Sequence, residues 1–355
     1  MNKKVFIFII LIFFMSLFNN NLVSSSEVVE INLKNTFELM QKNDLDFKII
    51  KIELDNLKLE IKEDKINNIL INSNTEKKKI ELNFERTKNN YLNKKNSRLI
   101  FAAEKYFNLL ELEAEKSIKK KEIVYEKDLL ESIKAEEERG YKNKIDVFNQ
   151  ENKLNNSIIN SNNIESDYKQ ELKEFKILLG IEEEKNIELN SKINYKINDK
   201  LNKINYKNIT KNKEELKLIL KEAEIMENEL KRLKVIESSQ MKINMTKNKL
   251  EIKKLEKEKL TQKLTSELKK QHYLYKKAID NLKMRKNNFT TIKENHSILN
   301  QQYKKGMVKK VDLLNSELNV LKEKASLEKA VYNYYLNLYK LKNLLGENLG
   351  VDLDV

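Results

Sequence analysis

The chain has 355 residues, 35% of them charged, with five Gly and no Pro, Trp or Cys, and its formal net charge is +14. Missing proline and scarce glycine leave few turns and nothing to kink a helix, which excludes ordinary globular domains in favour of long helices with thin apolar seams. The 69 Lys and Arg are interleaved with 55 acids, which argues against a nucleic-acid footprint, and the lack of cysteine excludes disulfides, thiolate metal sites and a lipidated N-terminal cysteine.

Residues 1–26 read as a signal peptide. Lys3 and Lys4 give a basic start, Val5 to Phe18 a 14-residue apolar run, and Leu22 to Ser26 small residues for cleavage after Ser25 or Ser26. The run is shorter than the ~20 residues of a spanning helix. An uncleaved anchor is the alternative, and either reading puts the remainder outside the cytoplasm.

Residues 27–180 read as a first helical-hairpin repeat. Asn35 or Thr36 is expected to cap a short helix bearing Phe37, Leu39 and Met40, and Asn43-Asp44 to cap the next. Phe47, Ile50, Leu54, Leu57 and Ile61 then recur on one helix face. Residues 67–84 are Asn-rich and alternate Ile80, Leu82 and Phe84, the pattern of a short strand or of a hairpin's top. A long helix is expected over 85–139, about 80 Å at ~1.5 Å per residue. Gly140 ends it. A second helix returns over 145–179, with Tyr168, Leu172, Phe175 and Leu179 at helical spacing, and Gly180 ends that one.

Residues 181–211 lack a clean period and read as a connector, with a small strand or short helix at most. Residues 212–346 read as a second hairpin repeat. Its first helix covers 212–230, and Met241, Ile243 and Met245 alternate as in the first half. A long helix over 246–304 carries Leu260, Leu264 and Leu268 on one face, and Gly306 turns it. In the last helix, 311–345, Val311, Leu318, Ala325, Tyr332 and Tyr339 recur every seven residues, the signature of coiled-coil pairing. Residues 347–355 read as a loose tail.

The two halves are copies. At an offset of 166, Gly140 maps to Gly306, Lys144 to Lys310, Asp146 to Asp312, Asn149 to Asn315 and Glu151 to Glu317. Tyr168 maps to Tyr334, Leu172 to Leu338, and Leu178-Leu179-Gly180 to Leu344-Leu345-Gly346. Four of the five glycines fall on this grid without a gap, which marks a tandem duplication. The fold class is therefore all-α: two tandem repeats of long antiparallel coiled-coil hairpins.

Several stretches resemble the TolC-type outer-membrane efflux family. INLKNTFELMQKNDLDFKI resembles its opening, and AAEKYFNLLELEAEK its second helix. ERGYKNKIDVFNQENKL and QQYKKGMVKKVDLLNSELNVLKEKASLEKAVYNYYLNLYKLKNLLG resemble its hairpin tips and last helix. The resemblance implies a homotrimer whose helices form a periplasmic barrel beneath a shared outer-membrane strand barrel. It implies a passive export duct docked onto a periplasmic adaptor (membrane-fusion) protein and an inner-membrane efflux or secretion pump. It also implies an exported protein of the periplasm and outer membrane in a two-membrane bacterium. One departure stands out: Asn43 to Tyr106 and Asn212 to Tyr275 are each 63 residues and largely helical in pattern. A transmembrane hairpin needs about 25 residues, so a TolC-like helical protomer with little or no β is expected. A periplasmic coiled-coil scaffold or tether that has lost the channel is the alternative.

The resemblance implies that the tips contact the adaptor through Arg139, Gly140, Tyr141, Lys305, Gly306 and Met307; simple helix-to-helix turns are the other reading. Asp146 and Asp312 can cap the returning helices or, by resemblance, ring the tunnel entrance. The position three residues on, acidic in some family members, is Asn149 and Asn315 here. Tyr332, Tyr334, Tyr335 and Tyr339 fit seam packing. His272 and His296 lack a helical ligand pair, and no phosphate loop or nucleophile triad is present. No cofactor, metal or enzymatic activity is expected.

Overall fold

The computed structural model describes residues 28–71, 74–190, 195–197, 201 and 203–349. The signal-peptide segment, part of the connector and the last six residues of the tail lie outside these. The elements in order are β1 (Val29–Ile31), α1 (Leu33–Asn43), α2 (Leu45–Ile71), α3 (Asn74–Glu138), α4 (Lys144–Leu179), β2 (Ile187–Leu189), α5 (Tyr206–Lys211), α6 (Glu214–Val235), α7 (Gln240–Lys304) and α8 (Lys310–Leu345). The offset of 166 reappears in three dimensions: it carries α3 onto α7 and α4 onto α8 with identical limits. At ~1.5 Å per residue, each 65-residue helix is about 98 Å long.

The helices lie side by side in two tiers. Below the core the order is α4, α3, α8, α7; above it the order is α2, α3, α6, α7. The helices α3 and α7 run through both tiers. Where the tiers meet, aromatic residues concentrate in one core. Tyr106, Phe107, Phe175, Tyr275 and Tyr334 are all buried there, and Phe107 stacks on Tyr332 with ring centroids 4.9 Å apart. The last-helix tyrosines are seam residues, as their spacing indicates. Two of the core tyrosines also reach backbone: the Tyr106 hydroxyl donates to the Asn190 carbonyl at 2.6 Å, and that of Tyr334 to the Lys196 carbonyl at 3.1 Å. These bonds tie the connector to the long helices.

Among the described residues the strands β1 and β2 form one two-stranded parallel sheet, with Val29 opposite Ile187 and Ile31 opposite Leu189. No closed barrel exists among them. Two residues separate α2 from α3, and four separate α6 from α7, so the tops of both hairpins leave no length for strands of ~9–11 residues. No described helix is long and apolar enough to cross a membrane.

Three local expectations are corrected. The alternation at Ile80, Leu82 and Phe84 belongs to helix α3, not to a strand. Because α3 lies between α2 and α6, residues two apart, about 200° around a helix, face different partners. Ile80 packs with Leu57 and Ile61 on α2, and Leu82 with Leu218 and Ile225 on α6. The alternation at Met241, Ile243 and Met245 is likewise helical, so α3 and α7 start at 74 and 240 and are longer than expected. Finally, neither Asn35 nor Thr36 caps α1. Asn32 does, its side chain accepting from the Asn35 N–H at 2.8 Å. The cap expected of Asp44 is present, accepting from the Phe47 N–H at 2.8 Å. Asp44 also pairs with Arg98 through two bonds of 2.9 and 2.5 Å, which raises the affinity of the guanidinium for its proton.

Candidate functional site at the tips and edges

The tips are the turns α3–α4 and α7–α8. Gly140 and Gly306 have φ of 78° and 73°, the left-handed region where a side chain is strained. Their N–H groups donate to Glu137 and Tyr303 carbonyls, which closes each helix end. Tyr141 and Met307 follow with 78% and 71% of their surface exposed. Ile145 and Phe148, on the first turns of α4, are exposed beside them. Arg139 and Lys305 are exposed as well. The tips therefore present apolar and cationic side chains on rigid turns.

Asp146 and Asp312 both act as caps. The Asp146 carboxylate accepts from the Asn143 N–H at 3.1 Å, and the Asn143 side chain accepts from the Asp146 N–H at 3.0 Å, a reciprocal capping box. At α8 half of this remains. Asp312 accepts from the Lys309 N–H at 3.2 Å, but a lysine stands at the cap and has nothing to accept with.

The two hairpins are laced along the α3–α8 seam, a contact that the sequence did not single out. Lys309 pairs with Glu136, Lys310 with Asp128, Lys121 with Glu317, Lys322 with Glu122, Lys329 with Glu111 and Lys340 with Glu104. Burial works against the Glu122 carboxylate, but hydrogen bonds from Lys119 and Lys322 outweigh it and hold its pKa below the usual range. Each exposed pair alone is worth ~0–1 kcal/mol; together they fix which helix of one repeat faces which of the other. Among the described residues no three His, Asp or Glu side chains converge as metal ligands would.

The edges of the sheet carry the most informative surface. In α7, Met241, Met245, Ile252, Leu255, Tyr273, Met284 and Ile298 are exposed. At 100° per residue they fall in one stripe about 100° wide, opposite the buried Leu250, Leu268, Tyr275 and Leu282. In α2, Leu45, Ile49, Ile52, Leu59 and Ile66 form a second stripe, opposite Phe47, Leu57 and Ile61. In α4, Ile145, Phe148, Ile159 and Ile177 form a third. These three are the edge helices. Of the central helices, α8 exposes no large apolar side chain among the described residues, α3 exposes Phe84, Phe101 and Val124, and α6 exposes Leu220 and Val235. Along each helix these side chains are 3 to 18 positions apart, and their alignment on one face of each edge helix offers a surface for a neighbour.

Paired tandem hairpins packed side by side, with one aromatic core where the two tiers meet, define the class of fold. Solved structures agree in fold. The Campylobacter jejuni CmeC outer membrane channel matches with a TM-score of 0.64 at 13% identity, over 88% of this chain and 85% of its own. The outer membrane protein VceC of Vibrio cholerae matches with 0.62 at 8% identity, over 89% and 96%. The open-state MtrE outer membrane channel of Neisseria gonorrhoeae matches with 0.60 at 10% identity, over 93% and 94%. No family model matches the sequence, and no curated protein does. The chain thus has the TolC-type channel fold, with only two residues between α2 and α3 and four between α6 and α7.

Proposed function

We propose that this chain is the duct component of a tripartite efflux or type I secretion system, exported to the periplasm and outer membrane of a two-membrane bacterium. Three copies close edge to edge into a hollow helical tube. The periplasmic adaptor and the inner-membrane pump dock on the tips, at Arg139, Gly140, Tyr141, Lys305, Gly306 and Met307. The role is passive conduction, not catalysis. The observation that carries this reading is the pair of apolar edges, α2 and α4 on one side of the sheet and α7 on the other. A sheet with sticky opposite edges must either close on copies of itself or grow open-endedly. The test is imaging of the purified chain: a hollow threefold tube is expected, and a particle that stays monomeric or dimeric without a lumen overturns the duct.

Asp146 and Asp312 stand at the starts of α4 and α8, where threefold closure gathers six such side chains. Asp312→Ala is expected to lower the preference for cations in a reconstituted channel. Unchanged selectivity would reduce these residues to caps.

The few residues between α2 and α3 and between α6 and α7 favour a second reading, a periplasmic scaffold or tether without conduction. Single-channel recording separates the two: the duct conducts, the tether does not.

A further inference from the structure

The corner between α5, α6 and α7 holds an open cleft of about 680 Å³. Its floor is largely apolar, built from Ile204, Tyr206, Leu216 and Leu220, with the Thr265 hydroxyl donating to that of Thr210 at 3.2 Å across the base. Its rim is cationic. Lys207, Lys211, Lys257 and Lys269 surround it, and no carboxylate lines it. None of the four makes an ion pair among the described residues, whereas the nearby Lys217, Lys221, Lys253 and Lys263 all do. Other lysines nearby, Lys213, Lys259 and Lys270, also lack an ion pair among the described residues, so what marks this corner is the gathering of four around one apolar floor with no carboxylate in the lining.

The duplication supplies an internal control. At the offset of 166, which carries α3 onto α7, Thr265 and Lys269 correspond to Leu99 and Ala103. Both of those side chains are fully buried in the core of the first half. The same corner is sealed in one repeat and open in the other, and the opening is ringed with one sign of charge while its floor stays apolar. Leu216 stays buried at the base of the cleft, and Leu220, 45% exposed, lines its open part beneath the lysine rim.

We propose that this corner binds a single-chain anionic amphiphile of the medium-chain fatty-acid class. Its alkyl chain lies on the Tyr206, Leu216 and Leu220 floor, and its carboxylate meets Lys257 and Lys269. The volume falls in the range of small-molecule sites, about 300–1,000 Å³. A bare phosphate would leave the floor unused, and a neutral hydrocarbon would leave the lysines unused. Lys257 and Lys269 lie about 25–45 Å along α7 from its first turn, far from either helix end, so a freely diffusing monomer suits the cleft better than a lipid held in a bilayer.

The experiment is calorimetric titration of decanoate, below its micelle threshold, into the purified full chain. Saturable binding at one site per chain is expected. The Lys257→Gln/Lys269→Gln variant, altered only at exposed positions, is expected to bind at least about fivefold more weakly. The Thr265→Leu/Lys269→Ala variant copies the first half's residues and is expected to lose binding with its helicity and melting temperature kept. Decyltrimethylammonium and acetate are expected to bind at least about tenfold more weakly than decanoate. Equal binding by either of them, undiminished binding in the lysine variant, or binding only to phosphatidylglycerol vesicles overturns the proposal. So does binding by isolated protomers that disappears on assembly, which would make the cleft a contact for a second copy.

Discussion

Glycines in the same left-handed backbone region differ in what their surroundings tolerate. Gly140 and Gly180 both lie in the left-handed region, at φ of 78° and 65°. A methyl at Gly140 meets nothing within 4 Å, but one at Gly180 falls 2.6 Å from Asn43 Cβ. Asn43 cannot step aside freely, because its side-chain amide donates to the Leu179 carbonyl at 2.7 Å and so ties α1 to the end of α4. Gly140→Ala should therefore cost about 1 kcal/mol, the conformational term alone, and Gly180→Ala about 2–4 kcal/mol by chemical denaturation. Equal losses would mean that the Asn43 contact carries no weight. His272 makes a second residue-level case. It is buried, its Nδ1 lies 2.5 Å from the Tyr206 hydroxyl, and its Nε2 has no hydrogen-bond partner. Burial first, then the charge of Lys276, lowers its pKa, against a smaller opposing effect of the Leu201 backbone. The native state thus favours the neutral ring. Stability present above about pH 6.5 is expected to fall as pH drops from there toward the lowered native value, because only the unfolded chain takes up the proton readily. Melting temperatures of the wild type and His272→Gln between pH 5 and 8 check this; the variant's curve should be flatter on the acid side.

Among the elements, the returning helices α4 and α8 are twins with unequal starts. The box at Asn143 and Asp146 is complete, while Lys309 leaves its counterpart half made. Lys309→Asn copies the first repeat and should stabilise the chain by about 0.5–1 kcal/mol. The Lys309–Glu136 pair that it removes is exposed on the lysine side and offsets little of this. A denaturation midpoint unchanged or lowered would show that the tip is not limited by its cap. This twinning also explains what could be read before the structure. Rare glycines on a fixed grid gave the tips and helix ends to within a residue or so, because a left-handed C-terminus nearly requires glycine. Heptads gave α8 because its seams run straight along it. The upper tier was harder. A helix with partners on two sides buries residues two apart, and Ile80 and Leu82 mimic a strand's period while serving α2 and α6. The first cap was misplaced because Asn32, Asn35 and Thr36 are all competent and only β1 fixes where the chain enters α1. The α3–α8 ion-pair seam and the open corner at Lys257 and Lys269 join distant segments or depend on what the other repeat has filled. No local pattern announces either.

At the scale of the whole molecule the question is how the edges meet. The stripe on α2 climbs from Leu45 to Ile66, and the stripe on α7 descends from Met241 to Ile298. Near the top, Ile66 stands level with Met241 and Met245, and Leu59 with the neighbourhood of Ile252 and Leu255, so an antiparallel pairing of unlike edges brings apolar against apolar. Like edges would pair only by inverting one copy, which puts the tips of the two copies at opposite ends. The geometry thus selects a heterologous contact, and heterologous contacts close only as rings. This yields a mixing test. Leu59 and Leu255 are 63% and 58% exposed in the protomer, so Leu59→Asp and Leu255→Asp should each leave the fold intact, within about 0.5 kcal/mol. Each variant alone keeps one good edge and lacks its complement, and should sediment as a monomer. Mixed together, the intact α7 edge of the first can join the intact α2 edge of the second, with both damaged edges left outside. Analytical ultracentrifugation of the mixture should then show a dimer and nothing larger. If either variant dimerises by itself, like edges pair, the contact is isologous, and a cylinder cannot be built from it.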